Sequence, residues 1–229
     1  MSPIGIHWLE QREADLPDEN DWLSASELIR LGTLRFPKRR ADWLLGRWTA
    51  KLAVSAYLGR STSQEALRVV EIHPAESGAP LVFVASEPAR ISISISHRDG
   101  VAMCAVAPPN TRLGCDLELI EAHSEAFIRD YFTKEEQRAI QGASEEDRHR
   151  MATLMWSAKE SALKALGVGL RADTRTVSIR LAKQPAADAS WNALRVQMND
   201  RPGFEGWWKQ SERLIRTIVA PFGAALLDR

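Results

Sequence analysis

Isoleucine and serine alternate strictly over residues 91–96, just before His97. Because successive side chains on a strand point to opposite faces, this pattern predicts a strand with one buried face. The residues Arg98-Asp99-Gly100 suit a tight turn, and the apolar run 101–107 predicts the partner strand of a hairpin. Pro108-Pro109-Asn110 then interrupts the pattern and marks the predicted midpoint of the chain.

A longer apolar period predicts helices. Residues 41–58 form one, with Arg47 and Lys51 four apart on the same face, after a basic turn at 35–40. In the second half, Thr133 and Glu136 fit the capping box of another helix. Further helices are expected at 22–31, at 122–131 and through Trp156 and Lys164. Further strands are expected at 4–9, 69–72, 81–84, 177–181, 194–196 and 214–220. An exposed hairpin loop is expected at 183–190.

The second half repeats the order of predicted elements in the first. This order predicts an α/β (α+β) fold of two similar halves, residues 1–108 and 109–229, related by internal duplication. No residue-level repeat is apparent at this stage.

Composition limits the classes of function. The chain has 229 residues, with 30 basic and 30 acidic ones and a pI near 7.0, which argues against a general nucleic-acid or membrane-surface binder. No apolar run reaches the length of a membrane span and no signal peptide is evident, so a cytoplasmic location is expected. Cys104 and Cys115 lie in apolar runs and are expected to be small buried residues.

Two short segments carry candidate chemistry. Asp116 and Glu118 lie two apart on a predicted strand and share a face. Glu160 and Lys164 lie four apart on a predicted helix, in one column with Trp156. Each segment alone is typical of solvent-facing acids or of an ordinary helix ion pair. Together they predict three carboxylates and a lysine that converge on a divalent cation and a phosphate ester.

Four motifs occur in order along the chain: Ser94-Ile95-Ser96-His97, Gly114-Cys115-Asp116-Leu117-Glu118, Phe132-Thr133-Lys134-Glu135-Glu136 and the run from Trp156 to Lys164. Together they resemble the motifs of the 4′-phosphopantetheinyl transferases of the larger type, which activate the carrier proteins of peptide and polyketide synthetases. The resemblance implies two related α/β halves in a pseudo-two-fold arrangement, coenzyme A bound between them, and a cytoplasmic monomer that serves secondary metabolism.

The resemblance also implies roles for single residues. Asp116, Glu118 and Glu160 are expected to bind magnesium, with manganese as the alternative metal. Glu160, Lys164 and His97 are the expected catalytic residues. A chain with no net charge needs local cations to bind the phosphates of coenzyme A. These phosphates are therefore expected to contact basic side chains and one serine. The expected coenzyme A contacts are Arg40, Arg47, Ser96, His97 and Lys164, with Lys38, Arg39 and Lys51 also available.

The implied reaction moves the 4′-phosphopantetheine arm of coenzyme A to a serine of an apo acyl or peptidyl carrier protein and releases adenosine 3′,5′-bisphosphate. Glu160 is the expected base, directly or through a metal-bound water. The first half is expected to hold the 3′-phosphate, and the second half to hold the metal and dock the carrier through residues 120–132. These residues also fit the core face of a helix.

Two departures from the family pattern concern coenzyme A. Ala79 replaces a frequent lysine, and Arg98 replaces a frequent serine. A coenzyme A binding module that has lost transfer is therefore one alternative. A nucleic-acid binder that uses the basic patch from Lys38 to Lys51 is another, weakened by the neutral charge and the few aromatic residues nearby.

Overall fold

The computed structural model describes residues 3–182, 191–198 and 202–227. The predicted loop 183–190 lies outside these residues. The chain forms two compact units: unit 1 is Met1–Thr111 with Ala225–Arg229, and unit 2 is Arg112–Ala224. The predicted boundary lay after residue 108, and the last residues were assigned to the second half. They belong to unit 1 because the final strand joins its sheet.

Each unit combines helices with antiparallel sheet, so the predicted α/β class is confirmed. Unit 1 contains β1 (Ile4–Arg12), α1 (Ala25–Gly32), α2 (Pro37–Tyr57), α3 (Gln64–Leu67), β2 (Val70–Pro74), β3 (Pro80–Val84), β4 (Glu87–Pro88), β5 (Ser92–Arg98) and β6 (Val101–Ala107). Unit 2 contains β7 (Gly114–Leu119), α4 (Glu125–Tyr131), α5 (Lys134–Gly142), α6 (Glu145–Ala165), β8 (Val177–Leu181), β9 (Asn192–Met198), β10 (Phe204–Ser211) and β11 (Leu214–Ala220). The last strand, β12, is Ala224–Leu226.

The main sheet of unit 1 has the strand order β12-β1-β6-β5, and β2, β3 and β4 form a smaller sheet. The predicted hairpin joins β5 to β6. Its two turn residues, Asp99 and Gly100, have φ of 50° and 70°, the left-handed values that a two-residue hairpin turn needs. All seven residues of β6 are buried, because this strand lies between β1 and β5 and one of its faces packs against α2.

Helix α2 begins earlier than predicted. Pro37 occupies the first position of the helix, where its fixed φ and missing N–H are tolerated. The predicted basic turn is therefore partly helical, and Lys38, Arg39 and Arg40 lie in the first turn of α2. No acidic residue occupies that turn. Basic side chains at a helix N-terminus are unfavourable with respect to the helix dipole, unless an anion also lies there.

The sheet of unit 2 has the order β7-β11-β10-β9-β8, with α6 packed on it. Strand β10 was not predicted, although its sequence alternates: Phe204, Gly206 and Trp208 are buried, and the residues between them are not. Trp208 belongs to the core under α6, so it has a packing role, whereas the adjacent Trp207 is only partly buried.

The predicted capping box at the start of α5 is confirmed. The Thr133 backbone N–H donates to Glu136 Oε2 at 2.8 Å, and the Glu136 N–H donates to Thr133 Oγ1 at 3.3 Å. The other carboxylate oxygen of Glu136 accepts a bond from Ile179 N at 2.8 Å. Glu136 also forms an ion pair of 2.9 Å with Lys159 of α6. This carboxylate therefore ties α5, α6 and β8 together.

Unit 1 repeats this arrangement. Ser24 and Glu27 form a capping box at the start of α1, and Glu27 pairs with Lys51 of α2 at 2.5 Å. Glu27 also accepts a bond from the backbone N–H of Ile72 in β2. The side chains of Lys51 and Lys159 are both 0% exposed, and each ammonium donates to two backbone carbonyls.

A residue-level repeat in the sequence accompanies these ion pairs. Helices α2 and α6 are each 21 residues long. Trp48-Thr49-Ala50-Lys51 in α2 and Trp156-Ser157-Ala158-Lys159 in α6 occupy the same positions in their helices. The repeat is not obvious in the sequence because the shared residues are few.

Candidate active site

The candidate site in unit 2 is formed by β7 and α6. Asp116 and Glu118 alternate with apolar residues on β7, and their face of the strand is the one that begins with Gly114. A Cβ atom on Gly114 would clash with the carbonyl oxygen of Ser161 in α6. Only glycine permits this close approach, which sets how near the carboxylates lie to α6.

Three buried hydroxyl groups fix α6 on the sheet. Thr217 of β11 is hydrogen-bonded through Oγ1 to Ser157 Oγ at 2.9 Å and to Ser161 Oγ at 2.7 Å. All three residues are 0% exposed. Because Thr217 pairs with Asp116 in the β7–β11 ladder, the same contact fixes α6 relative to the strand that carries the acids.

Lys164 joins the two elements directly. Its Nζ donates to Asp116 Oδ1 at 2.7 Å and to the Cys115 carbonyl oxygen at 2.9 Å. The Asp116 side chain is 3% exposed, whereas that of Lys164 is 31% exposed. Burial alone would lower the pKa of Lys164, but the neighbouring Asp116, with Cys115 and Glu160, raises it above the ordinary value. Lys164 is therefore a fixed cation whose side chain is still partly open to solvent.

Glu160 lies one helical turn before Lys164. Its pKa is raised to about 7, mainly by burial and then by the charge of Asp116; Lys164 lowers the pKa and Glu118 raises it. Asp116 and Glu118 thus both act electrostatically on Glu160. A carboxyl group with a pKa near neutrality is typical of groups that exchange protons in catalysis.

The donor set suits magnesium chemically. Magnesium prefers oxygen ligands, and it takes one or two carboxylates while waters and phosphate oxygens complete an octahedral shell. Among residues 3–182, 191–198 and 202–227, no three His, Cys, Asp or Glu side chains lie close enough together to hold a metal ion by themselves. Asp116, Glu118 and Glu160 therefore do not form a three-ligand group in this structure, although one or two carboxylates with waters and phosphate oxygens would suit the usual magnesium shell. The assignment of Asp116, Glu118 and Glu160 stays a prediction.

Aromatic residues lie beside the acidic cluster. Phe127 packs edge-on against Trp156, with ring centroids 4.9 Å apart, and Tyr131 lies 5.3 Å from the same tryptophan. Phe132 is 0% exposed, and Phe127 and Ile128 pack against the same core. Tyr131 is 41% exposed. Most of the apolar residues of this segment therefore have a packing role, and Tyr131 presents a ring to solvent.

Of the predicted phosphate-binding residues of unit 1, His97 lies beside the N-terminal end of α2. A cleft of about 420 Å³ opens there. His97 lies at the end of β5, and its Nδ1 is 4.0 Å from Asp42 Oδ1. Ser96, the preceding residue, is 8% exposed. The cleft is lined by Phe36, Lys38, Arg39, Asp42, Trp43 and His97.

The other basic residues of α2 differ in availability. Arg40 donates from Nη1 to the Leu31 carbonyl oxygen at 3.1 Å and is partly buried. Arg47 lies 5.1 Å from the centre of the Trp43 ring, and its Nε is buried without a hydrogen-bond partner. Burial lowers the pKa of Arg47, partly offset by Glu27. Lys51 was wrongly included among the available cations, because it is fully buried and paired with Glu27.

Sequence reasoning missed two features of this region. Lys159, next to Glu160 in the motif, has a structural role. Asp42, which lines the cleft beside His97, was not considered. The repeated Trp-Thr/Ser-Ala-Lys segment is a sequence signal for the structural role of Lys159. The lysine recurs in α2 as Lys51, but the acid that follows Lys159 does not recur there, so the lysine does not depend on that acid. No signal in the sequence pointed to Asp42.

Comparison with known proteins agrees with the motifs. The family model of the 4′-phosphopantetheinyl transferase superfamily matches residues 112–211. The 4′-phosphopantetheinyl transferase HetI of a Nostoc species is 26% identical over 200 residues, 84% of this chain and 81% of HetI. A holo-[acyl-carrier-protein] synthase of Streptococcus agalactiae is 33% identical over 84 residues, 37% of this chain and 71% of the synthase. The chain belongs to the 4′-phosphopantetheinyl transferase superfamily.

A solved structure of a holo-(acyl-carrier-protein) synthase from Bacillus anthracis, in complex with CoA (3′,5′-ADP), is also similar. It is 22% identical, with a TM-score of 0.39, and covers 47% of this chain and 97% of the synthase. In the part of the chain that the structure describes, no helix is long and apolar enough to cross a membrane.

Proposed function

We propose that this protein is a magnesium-dependent 4′-phosphopantetheinyl transferase that modifies a serine of an apo acyl or peptidyl carrier protein. The observation that carries the proposal is the contact between Lys164 and Asp116, with Glu160 one helical turn away in the same electrostatic cluster. This contact supports the proposal because it sets a cation beside a carboxylate in a member of the transferase superfamily. HetI and the holo-[acyl-carrier-protein] synthases provide the precedent for the reaction.

In this proposal the serine oxygen of the carrier attacks the phosphorus that bears the pantetheine arm. The new oxygen–phosphorus bond forms as the bond to the adenosine 3′,5′-bisphosphate leaving group breaks. Magnesium, held by Asp116, Glu118 and Glu160, would supply a charge that neutralises the pyrophosphate. Lys164 supplies a second positive charge on the phosphate oxygens. Its contact with Asp116 holds the ammonium in place before substrate arrives, so little reorganisation is needed.

Glu160 is the proposed acceptor of the serine proton. Its raised pKa, about 7, is near the operating pH, where a carboxylate is an effective base. A bound cation lowers the pKa of a carboxyl group, so Glu160 is a weaker base when it is also a metal ligand. In the direct route Glu160 takes the proton itself, and in the second route a metal-bound water carries the proton.

Unit 1 is proposed to bind the phosphates of coenzyme A. Lys38 and Arg39 line the cleft at the N-terminus of α2 together with His97. The first turn of α2 is basic and has no acidic residue. An anion bound at this helix N-terminus would therefore stabilise the helix. Arg47, Arg40 and Ser96 are the further proposed contacts. Ala79 contributes no charge, so these residues carry the contribution of unit 1 to phosphate binding.

Carrier docking is proposed for the segment after Glu118, where Tyr131 is exposed beside Trp156. The carrier type, service to secondary metabolism, the monomeric state and the cytoplasmic location stay predictions. Incubation with coenzyme A, magnesium and a panel of apo carrier proteins, followed by intact mass measurement, tests the function. We expect one carrier or more to gain the mass of one phosphopantetheine. No gain across acyl and peptidyl carriers would contradict the proposal.

A further inference from the structure

Unit 1 has a second cleft, distinct from the one beside His97. It lies between β1 and α2 and has a volume of about 330 Å³. Its lining is mainly apolar, with His7, Gln11 and Thr62 as the polar members, and it contains no Asp, Glu, Lys or Arg side chain. The other lining residues are Trp8, Leu9, Leu52, Ala53, Ala56 and Tyr57.

The helical side of this cleft is the counterpart of the catalytic helix face in unit 2. Lys51 and Lys159 occupy the same position in helices of equal length, and each pairs with the glutamate of a capping box. The residue after Lys51 is Leu52, where unit 2 has Glu160. One turn further, Ala56 takes the place of Lys164.

The strands beside the cleft in unit 1 also correspond to the strands beside the acidic cluster in unit 2. Strands β6 and β11 are both seven residues long and both run into an Ala-Pro step. At the central position of these strands, Cys104 pairs with Leu9 of β1, and Thr217 pairs with Asp116 of β7. Leu9 is therefore the counterpart of Asp116.

Two residues further along β1, Gln11 is the counterpart of Glu118. All four charged residues of the unit 2 cluster are thus replaced by uncharged ones in unit 1. The cleft of unit 1 therefore lacks the carboxylates and the ammonium that attract a metal and a phosphate. Apolar walls favour an apolar occupant.

We propose that this cleft is a second ligand site, which binds an uncharged small molecule with an aromatic ring. Its volume is in the range of small-molecule pockets. Tyr57 and His7 already form an edge-on pair with ring centroids 5.1 Å apart, and Trp8 adds a third ring, so a planar ligand would find faces and edges to contact. Gln11 and Thr62 provide polar groups that would orient it. The site belongs to unit 1 alone and does not depend on transfer activity.

Titration of the full-length protein with 2-naphthol, followed by protein NMR, tests this proposal. Ala56 is exposed, so Ala56→Phe can fill the cleft and Ala56→Lys can restore a charge without burying it. Ala14→Phe, at another exposed alanine of unit 1, is the matched control. Thermal unfolding of each variant shows whether it is folded.

Wild type and Ala14→Phe should bind 2-naphthol with the same saturable affinity and shift the signals of Leu9 and Leu52. Both Ala56 variants should bind at least about tenfold more weakly, and phosphate should not shift these signals in wild type. Absence of saturable binding, unchanged affinity in Ala56→Phe, or shifts confined to other residues would overturn the proposal. Ala56→Phe should keep wild-type transfer, so failure of this site and failure of the proposed function are separate results.

Discussion

The ammonium of Lys159 lies 2.9 Å from the Glu136 carboxylate, and neither side chain is more than 2% exposed. Lys159 is part of the motif that contains Glu160, yet it points into the core of unit 2. Its contacts are an ion pair and two backbone carbonyls. This buried group supports the helix from which the site residues project.

Removing one partner of this pair should destabilise the protein. Lys159→Met leaves the Glu136 carboxylate buried without its cation, and we expect the free energy of unfolding to fall by about 3–5 kcal/mol. Urea denaturation measures the loss. Lys51→Met in unit 1 is the matched control and should cost a similar amount, because its pair with Glu27 is built in the same way. A stable Lys159→Met enzyme that has lost only transfer would instead assign Lys159 a catalytic role.

Gly114 should tolerate no side chain. Gly114→Ala places a methyl group against the Ser161 carbonyl oxygen and forces β7 away from α6. We expect a loss of about 2 kcal/mol in stability and reduced transfer, because Asp116 moves relative to Lys164. Thermal unfolding and the transfer assay measure both effects. Gly142→Ala is the control, since nothing lies within 4 Å of its added carbon. Equal behaviour of the two variants would refute the close-approach argument.

The raised pKa of Glu160 predicts a pH effect on the metal-free protein. The folded state keeps the Glu160 proton up to about pH 7, whereas the ordinary pKa is 4.5. Between these values the folded state binds more protons than the unfolded state, so stability should fall as pH rises. The slope is on the order of 1 kcal/mol per pH unit.

Urea denaturation in EDTA at pH 5 and pH 7 measures this slope, with Glu160→Gln as the comparison. The substitution removes the titrating group, so the variant should lose less stability than wild type over this interval. Identical pH profiles for the two proteins would show that Glu160 titrates normally.

Lys164 should be required for transfer. Lys164→Met removes the positive charge that contacts Asp116 and is proposed to stabilise the leaving group. We expect kcat/KM to fall by about 100-fold or more. Lys134→Met, at an exposed lysine of α5, provides the control. Transfer at the wild-type rate in Lys164→Met would exclude the lysine from the mechanism.

Much of the fold follows from local patterns. The hairpin at Asp99-Gly100 and the capping box at Thr133 were predicted because turn and cap chemistry depend on a few neighbouring residues. Strand β10 was missed because Gly206 and two tryptophans obscure its alternation. The start of α2 was missed because Pro37 was interpreted as part of a turn.

Some features of the candidate site can be predicted from the sequence and others cannot. Glu160 and Lys164 share a helix face, which spacing alone predicts. The burial of Lys51 could not be predicted, because it depends on Glu27, a partner in a different helix. The spacing of residues within one helix carries no information about a partner in another helix. The repeated Trp-Thr/Ser-Ala-Lys segment does relate Lys51 to Lys159.

The most direct test of the account compares wild type with Glu160→Gln in the carrier-protein mass assay with coenzyme A and magnesium. Wild type should add one phosphopantetheine to an apo carrier, and a carrier with its acceptor serine replaced by alanine should gain nothing. Glu160→Gln should bind coenzyme A with similar affinity but transfer the arm about 10²–10⁴-fold more slowly. Transfer by Glu160→Gln at the wild-type rate would contradict the central claim that this carboxylate acts in the reaction.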